Sequence, residues 1–140
     1  MTPREKVLYQ VVNTSTAPLW LVMIIAPRSA LTARLVRLAT PMYAALGATY
    51  VGLLASTWGT GERVDFRDPD SVLAGMQQPR GFLAGWTHYL AFDLFVGRWI
   101  WEQGLDRRRS TRVALLLTWL AGPAGLTAWL VQSRGLRTRR

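Results

Sequence analysis

The sequence predicts an all-α membrane protein, a bundle of four transmembrane helices with a short surface helix between the second and the third. Three observations lead there. Hydrophobic residues make up 50% of the 140 residues, they gather in four long stretches, and the arginines behind a net charge of +9 fall mostly between those stretches. A spanning helix needs about 20 mostly apolar residues, which each stretch approaches. Basic caps on membrane helices account for the isoelectric point of about 11.4 through attraction to anionic lipid. No helix-turn-helix, zinc or aromatic-sheet signature accompanies the charge, so nucleic acid is not an expected partner. The absence of cysteine excludes disulfides, thiolate catalysis, iron–sulfur clusters and zinc–thiolate sites.

The whole chain, 1–140, is expected to form one integral-membrane domain. Its first helix covers about Val7 to Ala26 and is interrupted by Asn13, Thr14, Ser15 and Thr16, with Pro18 just beyond. The basic start, Arg4 and Lys6, also suits a signal peptide, but Ala26-Pro27-Arg28 makes a poor cleavage site and favours a retained helix. The second helix covers about Leu38 to Thr57, with Pro41 in its first turn. Ala44, Ala48, Gly52 and Ser56 recur at every fourth position and form a small-residue stripe that lets another backbone approach. The third helix covers about Phe82 to Trp101. The fourth, about Arg112 to Val131, contains Gly122-Pro123, which removes a backbone donor and predicts a kink.

The one long connector, Gly59 to Arg80, mixes Glu62, Asp65, Asp68 and Asp70 with arginines. Asp68-Pro69 is a helix start, since Asp caps and Pro suits the first helical position, and it predicts a surface helix over Pro69 to Gln77. Four spans put both termini and this connector on one side with nine basic residues, including Arg63, Arg137, Arg139 and Arg140, against seven on the other. That balance leans towards cytoplasmic termini.

The third helix carries His88, Asp93 and Arg98 within an aromatic-rich run. An Asp or Arg at the centre of a spanning helix costs roughly 2.5–3.5 kcal/mol, so such residues face protein or water and often mark a site. At about 100° per residue, Asp93 lies about 140° around the helix from both His88 and Arg98. Its face holds Gly85, Tyr89 and Gly97, at the i, i+4 spacing that brings side chains together, with Trp86 beside them. The glycines leave room there for a neighbouring helix or a ligand. Asp93 is too short to reach an interface and needs protonation, a hydrogen bond or a cation; Asn13, Thr14, Ser15, Thr16, Tyr43 and Tyr50 are the candidate partners. Desolvation would raise its pKa and favour a neutral acid. The alternative is a buried Asp that ties helices together. His88 and Arg98 are separated by about 15 Å along the axis and also suit the two interfaces. A bis-histidine haem would need a second copy of the chain, because His88 is its single histidine.

The run Gly85-Trp86-Thr87-His88-Tyr89-Leu90-Ala91-Phe92-Asp93-Leu94-Phe95-Val96-Gly97-Arg98-Trp99-Ile100 resembles the signature of the neoxanthin-synthase-like, abscisic-acid-deficient-four-like membrane family. The likeness extends over most of the chain and is that of a bacterial member in the inner membrane. It implies carotenoid or isoprenoid chemistry: in plants, the redox-neutral opening of an epoxide to an allenic alcohol. Such a step needs an acid for the epoxide oxygen and a base for a ring-adjacent proton. On that resemblance, Asp93, His88 and Tyr89 are candidate catalytic residues, Asp93 as acid and His88 as base. Trp86, Gly97, Arg98 and Asn13 are candidate ligand contacts. No cofactor or metal is expected; membrane lipids, a carotenoid or isoprenoid ligand and further copies of the chain are the expected partners. The competing expectation is a non-catalytic membrane subunit or lipophile-binding protein. A transporter or channel has less support, because four spans offer few polar lining groups.

Overall fold

A computed structural model describes residues 1–57 and 64–134, so Gly59, Glu62, Arg63, Arg137, Arg139 and Arg140 lie outside the described residues. Those described residues form eight α-helices: α1 (Pro3–Ser15), α2 (Ala17–Ile25), α3 (Ala30–Arg37), α4 (Thr40–Ala55), α5 (Pro69–Gln77), α6 (Pro79–Asp106), α7 (Arg112–Ala121) and α8 (Pro123–Arg134).

Local chemistry sets most of the boundaries. Thr2 and Glu5 cap α1 reciprocally: the Thr2 amide donates to the Glu5 carboxylate at 2.6 Å and the Glu5 amide to the Thr2 hydroxyl at 3.3 Å. The helix breaks at Thr16, as the polar run and Pro18 predict. There Thr14 and Ser15 hydroxyls donate back to the Gln10 and Val12 carbonyls. Ser29 caps α3 by accepting from the Leu31 amide. Asp68 caps α5 by accepting from the Asp70 amide, with Pro69 at the first helical position, as the sequence predicts. α6 ends where Arg108 takes a φ of 53°, which lets the Arg109 amide reach the Gly104 carbonyl at 2.8 Å. Gly122, with a φ of 43° that suits glycine, ends α7, and Pro123 begins α8.

The expectation of four transmembrane helices is overturned. One helical stretch, Pro3–Ile25, counted across the break at Thr16, is both long and apolar enough to cross a membrane among the described residues. Ala30–Arg37 and Thr40–Ala55 reach that standard only when counted together across their break, so the number is at most two. The predicted third span is a 28-residue helix, longer than expected, whose His88, Asp93, Arg98 and polar ends leave it insufficiently apolar. The predicted fourth span is cut by Gly122-Pro123 into pieces of 10 and 12 residues.

The contacts divide the helices into two units, one from Met1–Ser15 and Pro41–Ala91, the other from Thr16–Thr40 and Phe92 onward. In the first, Val12 of α1, Leu46 of α4 and Leu90 of α6 form the buried centre, flanked by Leu8, Met42, Trp86 and Ala91. Arg80 donates to the Ser56 carbonyl at 3.1 Å and lies 4.0 Å from Glu5. In the second unit Trp20, Met23, Leu115 and Trp129 are almost completely buried. Trp20 stacks on Trp119 with ring centroids 6.3 Å apart, and its ring also occupies the place where a Cβ on Gly97 would stand.

That last contact is testable. Gly97→Ala forces a Cβ into a buried indole and should cost ~1–3 kcal/mol, read as a lower Tm in detergent. Gly52→Ala meets nothing within 4 Å and should leave Tm unchanged or raised. Equal effects at the two positions would contradict this packing.

Candidate functional site

The first unit contains an apolar cavity of about 230 Å³ built from α4, α5, α6 and the end of the preceding connector. On α6 the i, i+3, i+4, i+7 positions Gly81, Ala84, Gly85 and His88 share one face and form its floor. The two glycines bring α5 close. The Gly75 carbonyl fills the space a Gly81 Cβ would need, and the Met76 methyl lies 2.8 Å from where a Gly85 Cβ would stand. Val72, Val64, Phe66 and Leu54 supply most of the remaining apolar lining.

His88 and Tyr50 are the titratable residues among those lining the cavity. Their rings pack with centroids 5.5 Å apart and tilted by 46°. Each contributes a group able to give or accept a proton, the imidazole through its two nitrogens and the phenol through its hydroxyl. The site therefore pairs apolar walls with an acid–base pair.

Beside this cavity, the same unit holds an aromatic cluster. Phe82 and Trp86, one turn apart on α6, stack at 6.1 Å, and Trp86 stacks on Tyr89 at 6.1 Å. Tyr9 from α1 packs on both Phe82 and Trp86. The Trp86 indole donates to the Asn13 side-chain oxygen at 3.3 Å, which joins two of the predicted ligand contacts directly. Tyr89 belongs to this cluster and does not line the cavity.

Asp93 lies in the second unit, half-buried. Its carboxyl makes no hydrogen bond or ion pair among the described residues, and burial raises its pKa to about 6. Four of the six expected partners have other contacts: Asn13 binds Trp86, Tyr50 packs on His88, and Thr14 and Ser15 bond their own helix. Arg98 donates to Glu102 at 2.8 Å, one turn along α6, and Gly97 receives the Trp20 ring. Among the described residues no three of His, Asp and Glu come together, so no metal-ligand set is offered.

Three residues of these contacts are not placed by the sequence: Tyr50 is a candidate partner of Asp93 there, not of His88, and neither Tyr9 nor Phe82 is linked to Trp86. The i, i+4 spacing of Phe82 and Trp86 carried part of that signal; contacts between different helices leave none in a single sequence.

The fold and cavity define a small all-α protein with an apolar pocket carrying a histidine–tyrosine pair. The chain belongs to the ABA4-like family, described as ABA DEFICIENT 4-like, which it matches over residues 7–129, a span that includes every cavity residue. It is 30% identical over 132 residues to Protein ABA DEFICIENT 4, chloroplastic, of Arabidopsis thaliana. That alignment takes in 89% of this chain and 59% of the plant protein, so the chain spans a little under three fifths of its relative. No solved structure matches the chain.

The raised Asp93 pKa has a signed consequence. From about pH 4 to about pH 6 the folded chain holds a proton that the unfolded chain has released, so stability falls as pH rises through that window. Asp93→Asn should raise Tm at pH 7, and this advantage should shrink towards zero below about pH 3, where the carboxyl is protonated in the folded and unfolded chain alike. An equal Tm difference at both pH values would contradict a half-buried carboxyl held in its neutral form.

Proposed function

We propose that this chain binds a carotenoid-type lipophile by one end group in the α4–α5–α6 cavity and rearranges it by redox-neutral acid–base chemistry. The observation that carries the proposal is an apolar cavity whose titratable lining residues are His88 and Tyr50. Its volume, about 230 Å³, is below the ~300–1,000 Å³ of pockets that enclose whole drug-sized ligands, so it suits the end of a long molecule. Family membership supplies the substrate class, through the epoxide-to-allene chemistry associated with its plant members. His88 takes the ring-adjacent proton and the Tyr50 hydroxyl protonates the epoxide oxygen. The C–O bond breaks as the new double bond forms, one proton leaves carbon and one reaches oxygen, and no oxidant or reductant is consumed.

Exposed apolar side chains support work at a membrane. Val7, Val11 and Ile25 are each more than half exposed on the stretch long enough to span a bilayer. Exposed apolar side chains on such a stretch favour lipid contact over water. Asp93 is given no step in this scheme, because it is not among the residues that line the cavity.

Expression in a host that makes epoxy-carotenoids should yield a new pigment of unchanged mass. His88→Gln should abolish that product while folded yield in detergent stays at the wild-type level. A wild-type pigment profile identical to that of the empty host would contradict the catalytic proposal. Pigment that co-purifies unchanged with both proteins would instead favour a non-catalytic binding role.

A further inference from the structure

Independently of the first-unit cavity, the second unit contains a larger pocket of about 410 Å³ where the α2–α3 turn meets the end of α6 and the start of α7. Its lining includes Arg28, Arg109 and Arg112 and no carboxylate. The nearby acids are Asp106, exposed at the end of α6, and Glu102, bound to Arg98.

Several carbonyls bordering this pocket are already bonded. Ile25 O accepts from Arg112 at 3.1 Å, Ala26 O from the Thr32 hydroxyl at 2.7 Å, and Pro27 O from the Trp101 indole at 2.7 Å. Ser110 O accepts from the Gln132 amide, and the Ser29 hydroxyl oxygen from the Leu31 amide. These five acceptors are thus engaged, and the charged groups left to meet a ligand are donors. Each guanidinium has five N–H groups, of which Arg109 and Arg112 spend one each on Gln132 and Ile25 carbonyls. Those bonds hold both arginines at the pocket without exhausting them.

Thr111 sharpens this picture. It is 3% exposed and stands at the cap position of α7, but its hydroxyl makes no capping bond and has no partner among the described residues. Its methyl is turned against Gly104, where a Cβ could not fit, and the residue lines the pocket. Uncapped, the first amides of α7 also lack intrahelical acceptors, and a helix N-terminus favours negative charge. Three arginines, the free hydroxyl of the buried residue Thr111 and open amides around one cavity are complementary to a tetrahedral oxyanion.

We propose that this pocket binds a phosphate group, with Arg28, Arg109 and Arg112 supplying charge and Thr111 and the α7 N-terminus supplying directed hydrogen bonds. The pocket lies within the ~300–1,000 Å³ range of small-molecule sites, so it has room for a substituted phosphate as well as the bare ion. A phospholipid headgroup and a soluble phosphate share this chemistry.

The test is thermal unfolding of the full chain in neutral maltoside detergent at constant ionic strength. Inorganic phosphate is titrated against chloride, and dioleoyl phosphatidylglycerol against dioleoyl phosphatidylcholine. A saturable rise in Tm is expected with phosphatidylglycerol; the same rise with inorganic phosphate would identify a site open to the free ion, and its absence a headgroup site. Arg28→Gln, on an exposed side chain, and Thr111→Val, which keeps the methyl on Gly104, should each weaken the apparent affinity about tenfold. Arg34→Gln, away from the pocket, should not. No rise with either phosphate source would overturn the proposal. So would an equal rise in wild type, Arg28→Gln and Thr111→Val, which would mark diffuse attraction to a basic protein.

Discussion

The structure depends on how closely other groups approach α6. At Gly81, Gly85, Gly97 and Gly104 the space a side chain would occupy is taken by the Gly75 backbone, the Met76 methyl, the Trp20 ring and the Thr111 methyl respectively. Each unit uses two of these positions. In the first, they draw α5 down beside His88 and so create the roof of the apolar cavity. In the second, they seat Trp20 and fix Thr111 at the rim of the basic pocket. Glycine is a poor helix former, at about 1 kcal/mol relative to alanine, so four of them in one long helix carry an intrinsic cost. Close packing offsets it: where atoms meet at van der Waals distance many small dispersion terms add, and a methyl in the wrong place would forfeit them.

A second constraint is the placement of polar atoms. In the first unit the Trp86 indole is engaged by Asn13, and the adjoining cavity is lined mostly by apolar side chains. In the second unit the exposed carbonyls at the end of α2 are bonded by Arg112, Thr32 and Trp101, which leaves an excess of donors. The two pockets therefore differ in chemistry although one helix contributes to both. The first favours a hydrocarbon, the second an anion. Such a division suits an amphiphilic environment, where apolar and phosphate groups occur together.

Features set by neighbours in sequence were legible beforehand. The α5 start at Asp68-Pro69, the break near Thr16 and the stop at Gly122-Pro123 each rest on capping or proline chemistry within a few residues. The transmembrane assignment failed because apolar length was counted without allowing for the breaks. Gly122 at positive φ splits one stretch, and Leu38-Ala39 separates α3 from α4. The polar ends of α6 were read as connectors, and the helix in fact runs on to Asp106. At the candidate site, Asn13 and Trp86 were both singled out, but their union across different helices was not foreseeable. The same holds for His88 and Tyr50. His88 lines the cavity and Asp93 is not among its lining residues.

The central claim is that the cavity beneath α5 receives the end of a lipophile. Its most direct measurement is the visible absorbance of pigment that co-purifies with the chain from a carotenoid-producing host, compared with Val72→Trp, in which the added indole fills the cavity from α5. The account predicts pigment in fixed ratio to the wild-type chain and its loss from Val72→Trp at unchanged folded yield. Equal pigment on both proteins would contradict it.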